Sequence, residues 1–279
     1  MRSYPLGRHS FLMNPEDRWF LPDLDHAMDW CRQRHTEGIR CTIATLAEYA
    51  VDRSQSSAAT EQNMTCIRTV AFRLPDTSIA IKPTAIGMLF DPGEYLSNLR
   101  SLFEEAEKNE VDLDIDMEGT DHVEATVRSA CDIAKEHPVT LALQAYLDRT
   151  SSDCDLCTGK GIRIRLVKGA YLGDTTDYEN IQERFKILVS KIANTGENFC
   201  VGTHDPEIIR WITEDASVSR HQVEFGFLKG LADQTKKRLV DAGWDVSEYV
   251  PYGSDGRAYR SRREYYLKLT EKSGRTPAP

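Results

Sequence analysis

Residues 165–172 read Arg165-Leu166-Val167-Lys168-Gly169-Ala170-Tyr171-Leu172, and the reading of this stretch decides the fold. It begins as a buried strand, sets two cations within four residues and breaks at a glycine beside an aromatic hydroxyl. A barrel enzyme builds the mouth of its site in this way: apolar strand residues pack, and polar residues at the strand's carboxyl end face the ligand. Alone, the stretch describes any strand with a charged end. Its weight comes from the strand candidates around it, at 40–46, 78–86, 111–117, 140–146, 163–168, 199–204, 222–228 and 248–251. Between them lie segments with the apolar spacing of helices, at 92–109, 122–137, 178–194, 206–215 and 231–242.

Eight strands alternating with helices predict an α/β chain folded as a (β/α)8 TIM-type barrel with parallel strands and right-handed crossovers. A doubly wound sheet shares the same alternation. Local signals agree with the helix assignments. Asp91-Pro92 and Asp205-Pro206 each place a capping carboxylate before a proline in the first helical turn, and Gly196 and Gly243 follow helices where a left-handed residue is favoured. Residues 1–17 read as a leading tail or cap, 18–272 as the barrel domain and 273–279 as a disordered tail; 54–61 (SQSSAATE) reads as a polar, flexible insertion.

Composition narrows the function classes. The chain has 279 residues, 40% hydrophobic and 28% charged, the range of one soluble barrel domain. No apolar run is long enough for an integral membrane segment, and the start of the chain has no signal-peptide core. A cytoplasmic protein is expected, with any membrane contact peripheral. A net charge of −9 argues against nucleic acid as a partner. It is compatible with an anionic substrate held by a local arginine cluster. Cys154 and Cys157 form a CxxC without further ligands at zinc spacing, so no metal is expected, and the pair reads as a solvent-exposed loop.

The strand ends carry the chemistry. The second strand closes on Lys82, the third sets Asp114 and Asp116 on one face by alternation, and the fourth ends at Gln144 and Tyr146. The sixth ends in Thr203-His204-Asp205, the seventh opens with Glu224, and the eighth gives Tyr249 and Tyr252. A last helix adds Tyr259, Arg262 and Arg263. Each residue alone is compatible with a structural ion pair or a satisfied core polar group. Together, at successive strand ends, they point to one site. Two guanidinium forks among tyrosines suit a carboxylate, so a small acid is the expected substrate.

These residues resemble the proline dehydrogenase family of flavoenzymes, over nearly the whole chain from about 18 to 272. The resemblance rests on ordered motifs: IKPTAIG at 81–87, DLDIDMEG at 112–119, LQAYLDRT at 143–150, RIRLVKGAYL at 163–172, GTHD at 202–205, VEFGFLKG at 223–230 and YVPYG at 249–253 ahead of the arginine pair. It implies a distorted (β/α)8 barrel with a C-terminal helix over its mouth, FAD as cofactor, and oxidation of L-proline to 1-pyrroline-5-carboxylate, the first step of proline catabolism. It also implies an electron acceptor, a quinone among the candidates, and a pyrroline-5-carboxylate dehydrogenase as a candidate partner.

Residue by residue, the resemblance implies Asp116 and Arg165 as catalytic, with Arg165 at the electron-rich side of the flavin. Lys82, paired with Asp116, together with Tyr171, Tyr249, Arg262 and Arg263, binds substrate. Met117, Gln144, Lys168, Gly169, Ala170, Thr203 and His204 hold the flavin, with Gly169 letting the backbone approach it. This chain departs from the family pattern at Gly256-Arg257, where an aromatic pair is usual, at Tyr266, where a glutamate is usual, and at Gly226. The competing readings are a flavin barrel oxidising another cyclic or secondary amino acid, a catalytically weak flavin- or partner-binding relative, and a Schiff-base aldolase using Lys82 or Lys168.

Overall fold

The computed structural model describes residues 18–170, 173–214, 216–254 and 256–272, with no side chain described at 266 or at 269–272. Tyr171, the segments 1–17 and 273–279, and the side chain of Tyr266 therefore lie outside the described residues. Eight parallel strands close into a barrel in sequence order: β1 (Arg40–Thr45), β2 (Thr77–Ile81), β3 (Leu113–Ile115), β4 (Thr140–Gln144), β5 (Arg163–Val167), β6 (Phe199–Gly202), β7 (Val223–Leu228) and β8 (Asp245–Tyr252). This is the barrel expected from the sequence, not a doubly wound sheet. The helices are α1 (Leu24–Thr36), α2 (Arg53–Arg73), α3 (Pro92–Lys108), α4 (Val123–Ile133), α5 (Thr150–Thr158), α6 (Tyr178–Ala193), α7 (Pro206–Glu214), α8 (Asp233–Asp241) and α9 (Arg257–Lys272).

The capping signals hold. Asp91 accepts from the backbone N–H groups of Gly93 and Glu94 at the start of α3, and Asp205 does the same for Glu207 and Ile208 at α7. Strand ends move where chemistry interrupts the ladder. The second strand stops at Ile81 because Pro83 has no N–H, and Pro83–Ile86 form a 3-10 turn instead.

Two expectations fail. The stretch 54–61 is no flexible insertion; it forms the opening turns of α2, capped by Asp52 on the Gln55 N–H. Its buried face begins with Ser56, Ala59 and Asn63, small or polar residues that let the helix sit close to its neighbours. The CxxC is not an exposed loop either. Cys154 and Cys157 lie on α5, 1% and 0% exposed, and pack as small apolar side chains. Burial pushes both thiols up to about 12, which leaves them protonated and unreactive at neutral pH.

Apolar side chains fill the layer between strands and helices, as Ile43, Ile79, Leu141, Leu166, Val201 and Phe225 show. The barrel interior is different. Ion pairs cross it between strands that are not neighbours: Arg163 on β5 to Glu224 on β7, Arg40 on β1 to the same carboxylate, and Arg165 on β5 to Asp114 on β3. Such pairs form only through the lumen. The strand candidates alternate because their polar residues face inward. Glu224 belongs to the amino-terminal end of its strand, beside a cavity at the base that Arg40, Thr42, Ser78, Asp114, Thr140 and Ser247 also line. It was expected with the mouth residues and stands at the opposite end.

A second buried charge cluster ties α1 and α8 to the outside of β8. Lys236 and Glu248, both 0% exposed, form an ion pair; Trp30 Nε1 donates to Glu248 at 2.6 Å, and Arg34 Nε lies 3.3 Å from the same carboxylate. The first described residues then meet the end of β8 and the start of α9. Leu21 pairs with Tyr252 at the end of β8, and the Phe20 ring fills the space beside Gly256.

Candidate active site

At the carboxyl ends of β3, β5 and β8 the side chains converge on one guanidinium. Arg165 pairs with Asp116, the residue just past β3, and with Asp114 at 3.1 Å, one pleat period below. Asp116 also accepts the Tyr249 hydroxyl at 2.5 Å, and the Arg165 guanidinium lies 5.6 Å from the centre of the Tyr249 ring. Burial, with the neighbouring carboxylate, keeps the Tyr249 phenol protonated far above its usual range. The pairing of Asp116 with Arg165 and Tyr249 replaces the expected one with Lys82. Lys82 instead donates to the Thr45 carbonyl at the end of β1.

Beside Lys82 stands Glu118, 1% exposed, which accepts from both the backbone N–H and the hydroxyl of Thr84 at 2.8 and 2.7 Å. Burial pushes this carboxyl up to about 7, against the pull of Thr84 and Lys82. Gln144 donates to the Glu118 carbonyl at 2.8 Å and accepts the Tyr146 hydroxyl. Met117, next to Glu118 in the chain, is 8% exposed and belongs to the core.

The third wall comes from β5 and β6. Lys168 donates to Asp205 at 2.5 Å and lies 4.0 Å from the centre of the Tyr178 ring, with Gln182 completing the carboxylate's bonds. The Asp205 carboxyl is brought down to about 2 by Lys168 and by bonds from Tyr178 and Gln182, which outweigh its burial. Stability from these contacts is therefore present above the ordinary aspartate range and is lost only as pH falls through about 2. Gly169 has φ +130°, and a Cβ there would lie 1.5 Å from the Tyr146 ring. Both demands select glycine, and what approaches its backbone is that ring. Ala170 is exposed at the rim, and Thr203 is buried with its hydroxyl accepting the Asp205 N–H. His204 accepts the Leu228 N–H through Nε2, and burial brings its imidazole down to about 3, so the ring is neutral.

Helix α9 supplies the remaining groups. Tyr259 is 5% exposed, and Arg263 sits 5.0 Å from the centre of its ring. Burial pushes the Tyr259 phenol up, with Arg263 and Arg262 opposing the shift and Asp116 and Glu48 adding to it, so α9 brings its polar groups near Asp116. Arg262 pairs with Glu48, beyond β1. Among the described residues, the buried polar atoms without a hydrogen-bond partner include Arg165 Nε, Arg263 Nε, the Tyr259 hydroxyl and Glu48 Oε2. Buried polar groups are rarely left unpaired, and unpaired donors gathered at a barrel mouth mark where a ligand's acceptors belong.

The sequence did not point to Glu48, Asp114 as a direct partner of Arg165, Glu118, Tyr178 or Gln182. For Asp114 and Glu118 the signal was present, since β3 alternation sets 114 with 116. For Glu48, Tyr178 and Gln182, which stand in a loop or on α6, nothing in their spacing marks the side of the barrel they reach. Tyr252, expected with Tyr249, faces α2 instead, beside Cys66. Gly256, where the family pattern has an aromatic, lies against Phe20, and a Cβ there would sit 2.1 Å from Phe20 Cε1. Gly226 abuts the Cys200 sulfur, 2.9 Å from where its Cβ would be.

A sequence profile of the proline dehydrogenase family matches residues 27–263. The chain is 28% identical over 249 residues to proline dehydrogenase 2 of Bacillus subtilis (strain 168), covering 86% of this chain and 82% of that protein. It is 31% identical over 200 residues to a proline dehydrogenase of Deinococcus radiodurans, covering 66% of this chain and 64% of the relative. Among solved structures, proline utilization A from Bdellovibrio bacteriovorus superposes with a TM-score of 0.80 at 18% identity, over 88% of this chain and 32% of that one. The likeness in structure is one of fold, and the chain spans about a third of that larger protein.

Proposed function

The chain belongs to the proline dehydrogenase family, and from that premise we propose that it oxidises L-proline to 1-pyrroline-5-carboxylate with FAD as its cofactor, in a catalytic domain spanning 18–272. The observation that carries the reading is the set of unpaired buried donors, Arg165 Nε, Arg263 Nε and the Tyr259 hydroxyl, around the Asp116–Arg165–Tyr249 cluster. The family is generally flavin-dependent, and the residues fit a flavin. Arg165 keeps a donor unused, Lys168 and Gln144 add N–H donors, and neutral His204 with Thr203 and Met117 gives a wall without competing charge.

When bound, FAD supplies the hydride acceptor. The ring C–H bond next to nitrogen breaks with its electron pair, the N–H proton leaves to solvent, and the C=N bond forms. The protein's part is positioning and electrostatics. Arg263, with Arg262, is assigned to the substrate carboxylate, which fixes the ring. The Tyr249 ring forms one side of the substrate space, held in orientation by its bond to Asp116. Arg165, its guanidinium fixed in direction by Asp116, would hold a positive charge beside the cofactor and so favour its reduced form. Lys82 is held at the site's edge by its hydrogen bond to the Thr45 carbonyl. Tyr171 is kept as a proposed substrate contact, and a quinone or a pyrroline-5-carboxylate dehydrogenase as proposed partners. Among the described residues no helix is long and apolar enough to cross a membrane.

Anaerobic mixing of the FAD-loaded protein with proline is expected to bleach the flavin absorbance. Bleaching by another cyclic amino acid and not by proline would assign the site to that substrate, and a protein that cannot be loaded with FAD would end the proposal. Replacing Gln144 or His204 with alanine is expected to weaken FAD binding about tenfold, the loss of roughly one hydrogen bond of about 1–1.5 kcal/mol, measured by fluorescence titration. Unchanged affinity in both variants would remove these residues from the cofactor site.

A further inference from the structure

Arg165 is held by two carboxylates, and only one of them stands at the mouth of the barrel. Asp116 faces the mouth. Asp114 lies below, 5% exposed, 3.1 Å from Arg165, and it lines a cavity of about 430 Å³ that opens among the amino-terminal ends of the strands. No step of the proposed reaction uses Asp114. We propose that Asp114 is a positioning residue for Arg165, reached by solvent through the base of the barrel, so that its charge state sets how firmly the catalytic guanidinium is held.

The geometry supports three parts of this. First, alternation on β3 and the pairing of Arg165 with both carboxylates make Asp114 a direct partner of the guanidinium, not a distant charge. Second, the base cavity gives protons a route that does not cross the substrate. Its walls are polar: Thr42 and Ser78 bond to each other at 2.8 Å, and Ser247 donates to Glu224 at 2.5 Å. Third, the other buried charges closest to Arg165 are already committed. Arg163 on β5 and Arg40 on β1 both pair with Glu224 on β7, while Cys200 on β6 is a protonated thiol. From β8, Asp245 stands at the cavity's rim, as do Asp76, Glu110, Asp112 and His221 in the segments that lead into β2, β3 and β7, while β2 and β4 present the hydroxyls of Thr77, Ser78 and Thr140. Burial pushes the Asp114 carboxyl up to about 6, helped by Glu224 and Asp116 and opposed by Arg165 and Arg163.

The inference rests on the proposed flavin-dependent oxidation for one readout and is independent of it for the other. Above about pH 6 Asp114 is ionised and grips Arg165; below, it is neutral and the grip loosens. Asp114→Asn fixes the loosened state at every pH. The ratio of wild-type to variant rates of anaerobic flavin reduction at saturating proline is expected to rise about tenfold from pH 5 to pH 8, with its midpoint near 6. Ionisation of the substrate amine cancels in this ratio. A flat ratio would overturn the proposal.

The flavin-free protein gives the second readout. A carboxyl whose folded pKa is raised lends stability below its unfolded value, and that stability is lost as pH rises through the folded one. Relative to Asp114→Asn, wild-type unfolding should therefore become easier by on the order of a hundredfold between pH 4 and pH 7 in urea titrations. No change there would also refute the inference, whatever the flavin does. Should the asparagine variant not fold, Asp114→Ser carries both comparisons. Failure of proline to bleach the flavin would instead count against the proposed reaction, and the urea series would still decide the role of Asp114.

Discussion

Arg263→Ala is expected to raise the KM for proline by roughly 30- to 1000-fold while FAD content and the unfolding midpoint stay close to wild type. The magnitude follows from losing a charge-assisted contact to a carboxylate in a buried site, about 2–4 kcal/mol. Arg263 is the better test of the carboxylate assignment because its Nε has no partner among the described residues and its guanidinium rests on the Tyr259 ring. Among the described residues, removing it strands no carboxylate. Arg262 differs, since it pairs with the buried Glu48. Its alanine variant should combine a smaller rise in KM with a loss of stability, as an unpaired buried carboxylate is costly. Steady-state kinetics beside urea unfolding separate the two. Unchanged KM in both variants would refute the carboxylate assignment.

Lys236→Ala should cost about 3–5 kcal/mol of folding stability, with the site's chemistry untouched in the protein that remains folded. Both members of the Lys236–Glu248 pair are fully buried, so removing the lysine leaves a carboxylate in the interior. The Trp30 and Arg34 contacts to Glu248 survive, which favours the lower end of the range. Lys236→Met combined with Glu248→Leu should recover most of the loss, because two apolar side chains replace an ion pair with little net cost. Urea unfolding of the wild type and the two variants tests this, and a single-variant loss under about 1 kcal/mol would show that the pair is not what holds α8 to the barrel.

The sequence carried the barrel and most of the site because alternation and spacing are local. A polar residue every second position along β3 and β5 told which face Asp114, Asp116, Arg163 and Arg165 share. It did not tell at which end of the barrel a residue stands, and so Glu224 was expected at the mouth. Helix α2 escaped notice because its buried stripe begins with serine, alanine and asparagine, which carry no apolar period. Glu48, Tyr178 and Gln182 reach the site only through the closure of the barrel and the seating of α6, which no spacing along the chain records. Lys82 and Asp116 illustrate the limit from the other side. Both residues were marked, but their partners are set by tertiary geometry that gives Lys82 to a carbonyl and Asp116 to Arg165.

Phe20 and Gly256 are 236 positions apart, yet they share one volume. With Arg260 also lying 5.3 Å from the centre of the Phe20 ring, the first described residues brace the helix that carries Arg262 and Arg263, the arginines proposed for the substrate carboxylate. Neither residue can be exchanged alone: a side chain at 256 requires a smaller one at 20, and the reverse leaves a void. In evolution the two positions should therefore drift as a linked pair. A relative with an aromatic at the start of its last helix is expected to have given up the aromatic near its beginning.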